Sequence, residues 1–270
     1  MKQHLLKAKT ILLLISITLL MGSCEIFDPI FNPQKDVCIL QKTSWSIPND
    51  PAHGETEFIY DSSGKLIEII RTSYDLGPDP YIERWTMTYQ GDLVHEIVSY
   101  TKLSNPEEAL GEYLFIYNGN LPDTIKFSPE ASYNNQTYTV TQYSGDKLIK
   151  LVDHIMRPTE TVYSVYNTTE IEWTGDNISK TTATDFHGSQ RIYEYEYDDK
   201  KTPLAHLGLA MSSFGSLTML SKNNVTKTTY SPGISVHVFE YTYTYNSTDY
   251  PISSSLLKDG YPTNYEYDCK

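Results

Sequence analysis

The sequence predicts an all-β protein: one long antiparallel meander of about 14–16 strands, barrel-like or curled into a shell. Three observations carry that prediction. Alternating strand-like runs end in an aromatic residue and pass at once into a turn rich in Gly, Asp and Asn. The unit recurs along most of the chain, with anchoring aromatics at 60, 89, 117, 143, 173, 197 and 245. Tyrosine occurs 23 times against 8 Phe and 3 Trp, and it suits half-buried strand positions where the ring packs and the hydroxyl finds a partner.

The first element is not part of that fold. Lys2, Lys7 and Lys9 precede the apolar run Ile11–Leu20, and Met21-Gly22-Ser23 stand directly before Cys24. A basic region, a short apolar stretch and small residues at a cut make residues 1–23 a signal peptide. The cysteine directly after the cut resembles the bacterial lipobox, in which the thiol is lipidated. The apolar run is shorter than the about 20 residues a spanning helix needs. Residues 24–36 carry Pro29 and Pro33 without strand alternation and read as a tether. Residues 37–270 then read as a single repeat-built β domain.

The copies follow in order. Glu57-Phe-Ile-Tyr60-Asp-Ser-Ser-Gly64-Lys-Leu66 is the clearest, and Met87-Thr-Tyr89-Gln-Gly91-Asp-Leu93 and Phe115-Ile-Tyr117-Asn-Gly119-Asn-Leu121 repeat it. Thr141-Gln-Tyr143-Ser-Gly145-Asp and Glu172-Trp173-Thr-Gly175-Asp continue the series. Tyr193, Tyr195 and Tyr197 share one strand face against Glu194 and Glu196, and Tyr241, Tyr243 and Tyr245 stand likewise against Thr242 and Thr244. Such sidedness is that of an antiparallel sheet buried on one face. The wide gap before 245 leaves room for a weaker copy at Leu220–Lys227. Residues 203–216 break the pattern, being apolar and free of Tyr; a short helix or packed loop is expected there. A barrel of this strand number is too wide for ordinary side chains to fill, so the Tyr rings and the 203–216 segment are the candidates for filling it.

Composition limits the partners. Residues 1–23 hold three lysines and no acid, so the rest carries 18 basic against 34 acidic residues, a charge of −16. Nucleic-acid binding depends on neutralising phosphates and is not expected. Membrane contact is expected through the lipid anchor only. Besides Cys24, only Cys38 and Cys269 remain, at opposite ends of the domain. They are either a staple joining the two ends or two separate thiols, and spacing alone does not decide between them.

Chemistry is sparse. The histidines are isolated, no metal-ligand spacing occurs, and Asp61, Asp92, Asp146 and Asp176 sit in Gly-bearing turns rather than a calcium loop. No nucleophile elbow or phosphate-cradling loop is present, and no cofactor is implied. Glu170 with Glu172, and Glu194 with Glu196, share strand faces and are the carboxylate pairs a glycosidase would use, or simply a solvated face. Trp45, Trp85 and Trp173 are the candidate glycan-stacking aromatics by residue type, or core residues.

The Tyr60-Asp-Ser-Ser-Gly64-Lys-Leu66 pattern resembles the YD (RHS-type) repeat of secreted bacterial β-shells. The combination of Cys38, Tyr197-Asp-Asp-Lys-Lys-Thr-Pro203, Leu220-Ser-Lys-Asn-Asn-Val-Thr226 and the closing Tyr243–Pro251 run is similar to a family of Bacteroidetes lipoproteins of unknown function with a porin-like fold. The resemblance spans about residues 37–270. It implies a many-stranded barrel-like fold on an anchored protein and carries no catalytic residues. Together these readings lead to the expectation of a non-catalytic binding protein of the cell envelope, held at the outer membrane by Cys24, with a glycan or an envelope protein as ligand. A hydrolase using paired carboxylates and a structural envelope component are the alternatives. Cys24→Ala should release the protein from the membrane fraction into the soluble one; fractionation and mass measurement of the mature N-terminus check this.

Overall fold

A computed structural model describes residues 38–47, 52–74, 79–102, 108–129, 135–157, 160–203, 216–233, 235–257 and 262–269. Cys24, the signal peptide, the tether and most of the predicted 203–216 segment lie outside the described residues.

Sixteen strands follow one another: β1 (Cys38–Ser46), β2 (His53–Tyr60), β3 (Leu66–Ser73), β4 (Tyr81–Gln90), β5 (Leu93–Lys102), β6 (Glu108–Asn118), β7 (Leu121–Pro129) and β8 (Gln136–Ser144) make the first half. The second half is β9 (Lys147–Met156), β10 (Ser164–Thr174), β11 (Asn177–Asp185), β12 (Gln190–Lys201), β13 (Asn223–Pro232), β14 (His237–Tyr245), β15 (Pro251–Leu256) and β16 (Pro262–Cys269). Each strand pairs antiparallel with its sequence neighbour, and β1 pairs with β16, so the meander closes into a barrel. The closing ladder begins at Cys38 opposite Cys269, and those two residues are joined by a disulfide. In the chain-entropy picture a link across 231 residues contributes roughly 5 kcal/mol as an upper bound.

The two ends of the barrel differ. Tight turns close one end, with glycines such as Gly91 (φ 64°) and Gly175 (φ 58°) in the left-handed region that side-chain-bearing residues avoid. At this end each odd-numbered strand carries one extra residue. Register jumps past Gln41, Ile67, His95, Asp123, Ile149, Ser179, Thr226 and Ile252, so two residues on that strand oppose one on its neighbour. This is a β-bulge, which disrupts the ladder locally and sharpens the twist.

The carbonyl just before each bulge is then met from the other side. Tyr60 Oη donates to the Leu40 carbonyl at 3.0 Å, Tyr89 to Leu66 at 2.7 Å and Tyr117 to Val94 at 2.7 Å. Trp173 Nε1 donates to Leu148 at 2.7 Å, Tyr197 to Ile178 at 2.7 Å, Tyr243 to Val225 at 2.8 Å and Tyr267 to Pro251 at 2.8 Å. The Thr141 hydroxyl does the same for Pro122. Eight bulges thus meet eight donors.

The core lies inside the wall. Leu40, Phe58, Ile69, Ile97, Phe115 and Ile178 are buried in one cluster, with Tyr60, Tyr89, Tyr117, Trp173 and Tyr267 packed against it. The residues that precede the bulges are among the most enclosed, Leu40 and Ile178 at 0% exposure and Val94 at 1%. A 3₁₀ turn, Leu217–Leu220, brings Leu217, Met219 and Leu220 onto the same cluster. Tyr89→Phe keeps the ring but leaves the Leu66 carbonyl without its donor. It should cost about 1–2 kcal/mol, read as a lower urea midpoint with unchanged slope.

Candidate ligand-binding site

Side chains alternate along each strand, so paired residues on neighbouring strands form inward rungs. Five successive strands, β10 to β14, build the relevant wall. One rung runs Thr169, Ala183, Arg191; the next runs Ile171, Thr181, Tyr193, Tyr230, His237. Tyr193 and Tyr230 stack with centroids 4.5 Å apart and planes 17° apart, and Tyr230 continues to His237 at 6.0 Å. Deeper in, Tyr195 lies 6.4 Å from Tyr193 and 5° from parallel to it.

These rungs face a cavity of about 880 Å³. Tyr193, Tyr195, Phe239, Tyr241 and Tyr243 give it aromatic walls, and Leu217 and Met219 of the 3₁₀ turn contribute an apolar floor. Its size falls within the range of small-molecule sites. The turn is tied down from below. Buried Ser221 Oγ accepts from Ile178 N at 3.0 Å and lies 3.0 Å from the Tyr197 hydroxyl. Asn177 and Asn223 exchange two hydrogen bonds, and the Asp198 carboxylate accepts from Asn224 N at 3.1 Å, from Lys200 N at 3.0 Å and from the Tyr245 hydroxyl.

The electrostatics are uneven. Burial raises the phenols of Tyr195 and Tyr243, and it pushes Tyr197 up to about 12 against a smaller opposing effect of Ser221. These hydroxyls therefore stay protonated as donors. Tyr195 spends its hydroxyl on Thr181 Oγ1 at 3.2 Å. Among the described residues, Arg191 makes no hydrogen bond or ion pair, and no carboxylate lines the cavity. Asn167, also on the wall, donates to Asp153 at 3.0 Å, while its Oδ1 is buried without a partner. Across the lumen Arg71 meets Glu83 at 3.4 Å instead.

The sequence-derived candidates fall elsewhere. Trp85 and Trp173 are half-buried and pack against the core from inside the wall. Trp45 stands over Gly54, where a Cβ would come within 2.6 Å of the indole nitrogen. None of the three lines the cavity described above. Glu170 and Glu172 point outward and lie 4.0 Å from Lys150 and 3.0 Å from Lys180, and Glu196 lies 2.6 Å from Lys227. Asp61 accepts from Ser63 N, Ser63 Oγ and Lys65 N, which is turn chemistry. Among the described residues no cluster of His, Cys, Asp or Glu could hold a metal ion. Arg191 was not singled out from the sequence, although it lies on the same face as Tyr193, Tyr195 and Tyr197 by simple alternation.

The comparisons bear on the fold. A porin-like protein from Bacteroides uniformis is similar, with a TM-score of 0.57 at 12% identity over 85% of this chain and 98% of that one. A porin-like protein from Bacteroides vulgatus also matches, with a TM-score of 0.39 at 15% identity over 86% of this chain and 99% of that one. No family model matches the chain, and no curated protein is recognisably similar to it. The first likeness is one of fold: an antiparallel barrel wall.

One carboxylate pair on the outer wall was not apparent in the sequence. Glu112 sits beside Glu96, and its carboxyl is raised by partial burial and then by the hydrogen bond and charge of Glu96. A carboxyl raised in the folded state contributes stability below its unfolded pKa and loses it as pH rises through the folded one. Glu112→Gln should therefore raise the urea midpoint at about pH 7 and leave it unchanged near about pH 3.5.

Proposed function

We propose that this chain is a lipid-anchored barrel of the bacterial cell envelope that binds a glycan, without catalysis, in the cavity between β10 and β14. The observation that carries the reading is the cavity's composition. It offers aromatic rings, hydroxyls, three amides and one guanidinium around about 880 Å³. Sugars are recognised by rings that pack on their C–H faces and by polar groups that fix orientation. A hydrolase would call for two convergent carboxylates in the cleft, and the described wall offers none. Some outer-wall charges pair with one another, as Lys42 with Glu55 at 2.5 Å and Arg84 with Glu68 at 3.3 Å.

The envelope assignment rests on the basic, apolar and small-residue order before Cys24 and on likeness in fold to a porin-like protein of Bacteroides. The expected anchor is the lipidated Cys24, since the outward strand face carries Glu, Lys and Thr where a membrane barrel shows an apolar band.

The test is a glycan array followed by titration calorimetry on the mature chain. Tyr193→Ala and Tyr241→Ala should each weaken binding about tenfold, the scale of one aromatic contact, with melting temperature nearly kept. An empty array, or wild-type affinity in both variants, would overturn the reading.

A further inference from the structure

Among the described cations, Arg191 and Lys126 make no side-chain ion pair or hydrogen bond, and of the two only Arg191 lines the cavity. Most described lysines and arginines are spent. Lys42, Arg71, Arg84, Lys150, Arg157, Lys180, Lys200, Lys222 and Lys227 lie within 4.0 Å of a carboxylate. Lys65 meets Asp92 at 2.8 Å, Lys147 reaches the Gly175 carbonyl, and Lys201 lies over the Tyr250 ring. In a chain with 34 acids against 21 bases, Arg191 lines a cavity without a described carboxylate within 4.0 Å, and Asp185, one rung away on the same face, accepts from His187 N and Ser189 N at 2.9 Å instead. Nothing crowds it along its rung, where Ala183 and Thr169 are small. Its rung lies directly above that of Tyr193, which is stacked on Tyr230.

From these positions we infer that the ligand is an acidic saccharide, its carboxylate paired with Arg191 while its ring lies against Tyr193. The inference rests on the glycan reading of this cavity and adds the ligand's charge. A guanidinium presents a planar fork of donors that matches a carboxylate with two parallel hydrogen bonds. Arg191 is exposed on this wall, so added salt screens the pairing.

The experiment uses two probes of equal length, a neutral galacto-oligosaccharide and an oligogalacturonate, titrated into the mature chain by calorimetry. Wild type should bind the oligogalacturonate at least about tenfold tighter, and added salt should weaken that probe alone. Arg191→Gln should weaken the acidic probe at least about tenfold and the neutral probe far less, so that the preference between them is lost. Arg191→Lys should recover only part of the difference. Equal affinity of wild type for both probes overturns the acidic ligand and keeps the glycan site. A preference for the acidic probe that survives in Arg191→Gln overturns the role of Arg191. Binding of neither probe overturns the glycan reading and this inference together. Thermal melting of each variant reports folding separately, and an exposed residue such as Arg191 should leave it unchanged.

Discussion

A backbone carbonyl displaced from its ladder inside a dry wall must find another donor, and this barrel meets that requirement eight times in the same way. Each bulge on an odd-numbered strand sets the residue before it inward and the extra residue outward. Leu66 is buried while Ile67 is exposed, and Leu148 is buried while Ile149 is exposed. The inward carbonyl then accepts from a side chain on the neighbouring even-numbered strand, an aromatic in seven cases and Thr141 in the eighth. Leaving such a group unmet would cost about 1–3 kcal/mol. Tyrosine suits the task because its ring fills the wide lumen while its hydroxyl reaches the wall. Trp173 and Thr141 show what is held constant. One is larger than tyrosine and the other far smaller, yet both donate to the carbonyl before the bulge.

Curvature and filling are thereby coupled. Bulges sharpen the twist that lets sixteen strands close, and the donors they require are the same rings that plug the tight-turn end. Polarity follows this plan. The apolar cluster lies within the wall, and Glu, Lys and Thr face outward in cross-strand pairs such as Glu172 with Lys180. Exposed pairs of this kind contribute about 0–1 kcal/mol each. They keep the outer face hydrated and help hold register more than they stabilise the barrel. Likeness to a porin-like protein resides in the strand architecture.

Much of the fold was legible because its signals are local. The aromatic at the strand end and the glycine turn after it stand within a few residues of each other, as in Tyr89-Gln-Gly91, and fix a hairpin without reference to the rest of the chain. The bulges were not legible. Their extra residues include Gln41, His95, Asp123, Ser179 and Ile252, so no residue type marks them; they are defined only by the partner strand. Closure is non-local for the same reason, since it depends on Ile39–Trp45 finding Thr263–Asp268. In β8 and β14 the donor stands two residues before the anchoring ring, Thr141 in place of Tyr143 and Tyr243 in place of Tyr245. Tyr243 serves the Val225 carbonyl, while Tyr245 is drawn to the Asp198 carboxylate. The candidate site was hidden in another way. Tyr193 and Tyr195 were visible as a strand face, but a lone Arg on that face carries no pattern, and it gains meaning only from a cavity lining without described carboxylates.

The position of the cavity follows from where the repeat fails. Successive bulges lie 26–30 residues apart from Gln41 to Ser179 and again from Thr226 to Ile252, but 47 residues separate Ser179 from Thr226. Where the spacing is regular, inward rungs carry residues such as Phe58, Ile97, Phe115 and Ile125, buried in one cluster. Where the chain lengthens, β12 runs to Lys201, the Asp198 and Asn224 contacts replace the simple hairpin, and the 3₁₀ turn enters from below. A regular wall can do no more than close on itself. The interruption admits rings, hydroxyls and an unpaired guanidinium to the same concavity, so the scaffold is set by the repeat and any recognition by its one irregular interval.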